Sequence, residues 1–324
     1  MAIVPSTKPS RRIPMRDILF SSLALIGLNI TLLAVHTEAH KYGNVWLSET
    51  EAFVLNAVTE LFVLKQSDAV DKYWSPNYIQ HNPLVANGTA ALKSLTAFLG
   101  NFTYETGFVV SSGPVVAIRS RLTPERGNVS LVVDIFRVEK GKIMEHWDVI
   151  QDEVPTNQTV SGLPMFDPAE HHSYNLSSCY DEETETRNML LAPWGLNKIF
   201  NQFDSAVFDK FWDPVYLQHN PGVASGSAAL RGFIVANANA SASANATTAA
   251  AATPNWQGGF SLVKCDIVFT HARVGDSVVV DTFRFRDGRF YEHWDIAQTE
   301  VPANRTASGL SMFDPEEFSL QFAY

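Results

Sequence analysis

A histidine and an aspartate stand two residues apart in two places, His146 with Asp148 and His293 with Asp295. Both pairs sit in copies of one motif, DIFRVEKGKIMEHWDVIQ at 134–151 and DTFRFRDGRFYEHWDIAQ at 281–298. An imidazole and a carboxylate together are the ordinary equipment for moving a proton near neutral pH. Each copy reads as a β-hairpin whose turn ends in glycine, at Lys140-Gly141 and Asp287-Gly288. Side chains alternate along a strand, so His146 and Asp148 share one face while Glu145 and Trp147 share the other. In an apolar cavity an aspartate loses hydration and its pKa rises, whereas a nearby imidazolium lowers it. The alternative role for each pair is structural, an imidazole locking neighbouring strands through the acid.

Other candidates surround these pairs. His81 and His219 occupy matching QHNP segments, which also resemble turns with Asn-Pro as the breaker. His271 stands on a strand of the second half, with Arg119 as its counterpart in the first. Glu145 and Glu292 are expected to pair with Arg137 and Arg284 on the adjacent strands. Trp147 and Trp294 read as packing anchors. Phe166 and Phe313, in the two MFDP blocks, are expected to plug the core of each module.

Three blocks recur in one order, so the chain is a tandem duplication. DKYWSPNYIQHNP at 71–83 matches DKFWDPVYLQHNP at 209–221, and SGLPMFDP at 161–168 matches SGLSMFDP at 308–315. The modules are placed at 48–168 and 187–315, with a polar linker at 169–186. The first should begin with a helix capped by the Ser48–Glu51 box, followed by a short helix that Pro76 ends. An extended Tyr78–Pro83 segment and a third helix, capped by Thr89, come next. Three strands are expected, near 105–121, 129–138 and 142–152. Helices followed by antiparallel strands make an α+β arrangement. In the second module Pro193 interrupts the first helix, which is expected to start near it. Residues 237–257 are of low complexity and read as a loop.

Composition narrows the function. With 324 residues, 46% hydrophobic and 18% charged, the chain is globular and long enough for two domains. A net charge of −10 repels phosphate backbones and argues against a nucleic-acid partner. Cys179 and Cys265 are the only cysteines, enough for at most one bridge. No zinc spacing or phosphate-binding glycine loop occurs. Residues 18–35 are uncharged and follow a basic segment, the layout of a signal peptide or signal anchor within residues 1–39. The body is therefore expected in the secretory pathway, secreted or held as a type II membrane protein. Sequons at Asn87, Asn101, Asn128, Asn157, Asn175, Asn239, Asn245 and Asn304 agree with a glycoprotein.

The joint pattern of YIQHNP, helix, strands, GKIMEHWDVIQ and GLPMF resembles the SnoaL-like branch of the NTF2-like superfamily, in two tandem copies. The resemblance implies two cone-shaped α+β barrels, helices wrapped by a strongly bent antiparallel sheet. It implies catalysis without cofactor or metal, as in polyketide cyclases that close a ring by intramolecular aldol condensation. By motif position the strand acid of such enzymes corresponds to Asp148 and Asp295. His146, His293, His81 and His219 are its expected pocket partners, and Arg119, His271, Tyr78 and Tyr216 the expected ligand contacts. Relatives are usually single modules that dimerise, so the duplication suggests an intramolecular pseudo-dimer. Three functions follow: a cyclase, isomerase or lyase acting on a small hydrophobic carbonyl compound; a secreted protein that only binds such a ligand; or a pocketless structural ectodomain.

Overall fold

The computed structural model describes residues 41–236 and 256–315. The apolar segment 18–35, most of the low-complexity segment and the sequons at Asn239 and Asn245 lie outside the described residues. Among those described, no helix is long and apolar enough to cross a membrane.

A short pair of strands, β1 (Lys41–Tyr42) and β2 (Val45–Trp46), leads into the first module. Helix α1 (Glu49–Val58) starts at the expected capping box: Ser48 Oγ accepts from the Glu51 amide, and the Glu51 side chain accepts from the Ser48 amide. One π-helical turn (Thr59–Val63) prolongs it, and α2 (Ala69–Tyr73) runs into strand β3 (Trp74–Gln80). Helix α3 (Thr89–Leu99) begins after Gly88 without a side-chain cap, so Thr89 is its first helical residue and not its cap. Four strands follow: β4 (Phe102–Ser112), β5 (Val115–Pro124), β6 (Ser130–Glu139) and β7 (Lys142–Asp152). The stretch expected as one strand near 105–121 is thus a hairpin. Its reversal sits at Gly113-Pro114, where Gly113 takes a φ of 55° that other residues avoid.

The second module repeats the plan with α4 (Glu182–Phe200), α5 (Val207–Phe211), β8 (Trp212–Gln218) and helix α6 (227–236). Strands β9 (Trp256–Lys264), β10 (Ile267–Val274), β11 (Ser277–Arg286) and β12 (Arg289–Thr299) complete it. Helix α4 starts eleven residues before Pro193 and runs through it, into part of the expected linker. Asp181 caps it by accepting from the Thr184 amide, and three glutamates occupy the first turn. An interior proline costs about 3 kcal/mol. Burial of Ala192, Leu196 and Ile199 in the module's core offsets that locally.

Each module forms one five-stranded sheet, ordered β3-β7-β6-β5-β4 and β8-β12-β11-β10-β9. The first-named strand of each pairs parallel with its neighbour, and the remaining pairings are antiparallel. The architecture is a mixed α+β one, with each sheet burying two faces. One face packs on its own helices. The other faces a core shared by both modules, in which Ile135, Trp147 and Val149 join Val280, Trp294 and Ile296. Phe166 and Phe313 also lie in this shared core, not within separate module cores as expected. Gln151 and Gln298 cross between β7 and β12, each accepting from a backbone amide of the other strand at 2.9 Å. A Cys179–Cys265 disulfide ties the segment before α4 to the β9–β10 turn.

Candidate active site

The site in the first module is assembled by three adjacent strands. On β7, His146 and Asp148 face the helices, as strand alternation requires. Strand β6 supplies Asp134, directly opposite Asp148 in the register. Strand β3 places Tyr78 and Gln80 on the face of the pair, and Asn82, two residues past the strand, reaches Asp148.

Hydrogen bonds order these groups. His146 Nε2 donates to Asp134 Oδ1 at 2.9 Å, and His146 Nδ1 donates to Gln80 Oε1 at 2.9 Å. Tyr104 of β4 donates its hydroxyl to Asp134 Oδ2. Asn82 Nδ2 donates to Asp148 Oδ2 at 2.7 Å. Asp148 Oδ1 is buried and has no hydrogen-bond partner. Gln80 Nε2 donates to the Tyr78 hydroxyl at 3.2 Å.

Two buried carboxylates facing each other across a ladder destabilise a sheet. The imidazole between them moderates that repulsion. Burial opposes a charge on His146, but its hydrogen bond with Asp134 and the charges of Asp148 and Asp134 outweigh burial and raise its pKa. Burial pushes Asp148 up to about 6, with the His146 charge acting against it and the Asp134 charge adding to it. Near neutral pH the arrangement is therefore a charged imidazole beside a carboxyl able to gain or lose a proton.

The second module reproduces the core of this network. His293 Nε2 donates to Asp281 Oδ1 at 2.9 Å, and His293 Nδ1 to Gln218 Oε1 at 2.8 Å. Asn220 Nδ2 donates to Asp295 Oδ2 at 2.6 Å, and Asp295 Oδ1 is again buried without a hydrogen-bond partner. Burial raises the Asp281 pKa; His293 opposes this and Asp295 adds to it. In the β4–β5 and β9–β10 registers, Trp256 takes the place of Tyr104, so no tyrosine stands there to donate to Asp281. A cavity of about 200 Å³ opens onto Asp281, His293 and Asp295, and Tyr216 lines it.

Four expected site residues lie elsewhere. His81 and His219 point to the shared core. Each bonds a glutamate of its own module and a carbonyl of the other, and stacks on a tryptophan. Parity explains this: His81 is three residues from Tyr78, and an odd separation places two residues of one strand on opposite faces. Arg119 also faces the shared core, donating to His171 Nε2 at 3.1 Å and to the Met165 carbonyl at 2.9 Å. Its partner position on β6 is Val133, a residue of that core. His271 is buried beside Phe313, also in the shared core. Glu145 and Glu292 bond Arg137 and Arg284 as expected, at 2.8 and 2.9 Å.

Sequence reasoning missed Asp134, Asp281, Gln80, Gln218, Asn82, Asn220 and Tyr104. Asp134 and Asp281 open the two motif copies, so duplication was their signal. One atom each from Asp134, His146 and Asp148 lies within 4.8 Å of the others, as in the second triad, a spacing that can hold a cation. A cation held by all three would have to displace a proton from His146, both of whose ring nitrogens donate hydrogen bonds.

The family model for the SnoaL-like domain matches residues 56–146. That match covers most of the first module, which is thus similar to SnoaL-like domains. No curated protein sequence matches the chain. Among solved structures, the chain is similar to TsrD from Streptomyces laurentii at 17% identity, over 32% of this chain and 91% of that one (TM-score 0.29). It is similar to IdmH, a putative polyketide cyclase from Streptomyces antibioticus, at 17% identity, over 32% and 93% (TM-score 0.28). A putative polyketide cyclase from Acidithiobacillus ferrooxidans matches at 14% identity, over 32% and 89% (TM-score 0.29).

Proposed function

We propose that this protein is a cofactor-independent general acid/base enzyme, a cyclase, isomerase or lyase acting on a small hydrophobic carbonyl compound. The observation that carries the proposal is the pair of buried, unpartnered oxygens, Asp148 Oδ1 and Asp295 Oδ1, each at the end of a hydrogen-bonded network. A ligand carbon beside its carbonyl would give its proton to that oxygen. The electron pair moves toward the carbonyl oxygen, and the resulting enolate attacks, isomerises or eliminates according to the substrate.

Asn82 and Asn220 fix each acid and lie beside the position of the developing oxyanion. His146 and His293 are positioning residues, because both ring nitrogens are committed within the protein. Their part is to hold Asp134 and Asp281 and to place a proton-bearing ring beside the reacting acid. The sheet and helices of each module form the cone-shaped barrel, and the two barrels act as a pseudo-dimer within one chain.

The pH profile tests this reading. Turnover read through Asp148 should rise with an apparent pKa of about 6 and fall at higher pH as His146 loses its proton. In His146→Gln the rising limb should move to higher pH, since the charge that lowers the Asp148 pKa is gone. Ligand binding with no limb near pH 6 would favour a secreted binding protein instead.

We also place the body in the secretory lumen or outside the cell, led there by residues 18–35. The sequon asparagines at 87, 101, 128, 157, 175 and 304 are all exposed, which supports glycosylation. Protein from its native host should lose mass on endoglycosidase treatment; an unchanged mass would refute this placement.

A further inference from the structure

The second module's cavity sorts its lining by polarity. Gln218, Asn220, Asp281, His293 and Asp295 are among its polar lining, and residues such as Phe200, Trp212, Leu230 and Phe283 supply the apolar part. Phe233 also lines it and is exposed, marking where the cavity meets solvent. The volume is about 200 Å³. A dry cavity of about 150 Å³ holds benzene. Sites for drug-sized ligands run to roughly 300–1,000 Å³. This cavity lies just above the first figure and below the second.

We propose that the second module takes a carbonyl compound with a single ring, or an apolar body of equal bulk, and excludes compounds of three fused rings. The ring lies among Phe200, Leu230 and Phe283, and the carbonyl arm reaches Asn220 and Asp295. Asn220 spends one amide hydrogen on Asp295 Oδ2 and leaves the second for a carbonyl oxygen. The carbonyl arm rests on the acid/base reading, whereas the size limit stands apart from it. In the step itself a carbon–hydrogen bond beside the carbonyl breaks and its proton goes to Asp295 Oδ1. The bonding pair forms the enolate double bond, and the carbonyl π pair moves onto oxygen. Return of the proton to carbon restores both partners. In heavy water the carboxyl exchanges its proton, so the carbon returns carrying deuterium.

The test uses the full chain with Asp148→Asn, which silences the first site. Its probes are phenylacetone, with one ring, and anthrone, with three fused rings. Affinities come from calorimetry, and deuteration of phenylacetone between ring and carbonyl is followed by proton NMR. Phenylacetone should bind about tenfold more tightly than anthrone, or better. Phe200→Ala enlarges the cavity and should recover most of the anthrone affinity. Equal affinity for the two probes, no binding of either, or affinities untouched by Phe200→Ala would overturn the proposal. Binding of phenylacetone with deuteration no faster than in Asp295→Asn would keep the size limit and reject acid/base chemistry at this site.

Discussion

Replacing both Asp148 and Asp295 by Asn should lower turnover by about 10²- to 10⁴-fold, the usual contribution of a positioned acid or base. The same change at Asp148 should make the folded chain more stable above pH 6. The two effects share one cause. Folding lifts the Asp148 carboxyl from 3.8 to about 6, chiefly by burial. A carboxyl raised in this way favours the folded chain below its unfolded pKa, and that contribution is lost as pH rises through the folded value. The span corresponds to about 3 kcal/mol. At pH 8 the unchanged protein therefore carries a buried charge that Asp148→Asn removes. The amide oxygen introduced by that substitution would still accept from Asn82, so the hydrogen bond now made at Oδ2 survives the change. Urea unfolding of Asp148→Asn at pH 8 should show a gain that approaches about 3 kcal/mol and fades by pH 3. Full turnover in the double variant would remove both aspartates from the mechanism. Reduced turnover with no stability gain at pH 8 would mean that Asp148 ionises without strain, contrary to its burial beside Asp134.

Strand geometry decides which parts of the site were legible in the sequence. Duplication exposed the His–Asp pairs, because strand alternation needs only spacing within one strand. Asp134 was harder, since its placement depends on register. The turn at Lys140-Gly141, with φ of 51° and 69°, pairs Glu139 with Lys142. An unbroken ladder from that turn would set Asp134 opposite Trp147, on the wrong face. A bulge at Met144 shifts the register by one residue and brings Asp134 opposite Asp148. The second hairpin has the same shift at Tyr291, which brings Asp281 opposite Asp295. Nothing in the local residue types announces such a bulge. For His81 alternation already pointed away from Tyr78, whereas for Arg119 the register opposite Val133 decides its face; imidazole or guanidinium chemistry suggested a pocket role that geometry denies. Pro193 misled through a local rule: proline normally limits a helix, but long-range packing of α4 on its sheet overrides it.

The relocated histidines lead to the second large effect. His81 Nδ1 donates to the Ser311 carbonyl at 2.7 Å, and Nε2 donates to Glu145 Oε1 at 3.0 Å. His219 mirrors this, with the Pro164 carbonyl at 2.6 Å and Glu292 Oε1 at 2.9 Å. Each histidine thus joins a strand glutamate of its own module to the closing loop of the other. The rings stack on Trp147 and Trp294 at centroid distances of 4.8 and 4.6 Å. His81→Ala would strand a carbonyl and one oxygen of Glu145, a residue only 1% exposed, and would open a void against Trp147. Arg137 would still hold the other oxygen of Glu145, so the loss should fall at or below the lower end of the roughly 3–5 kcal/mol that an uncompensated buried charge costs. His81→Gln, able to reach one partner, should lose less. Because one core serves both sheets, both variants should still unfold in urea as a single transition at a lower midpoint. Two separate transitions in the unchanged protein would mean that the modules fold independently, and an unchanged midpoint in His81→Ala would mean that these contacts contribute nothing to holding them together.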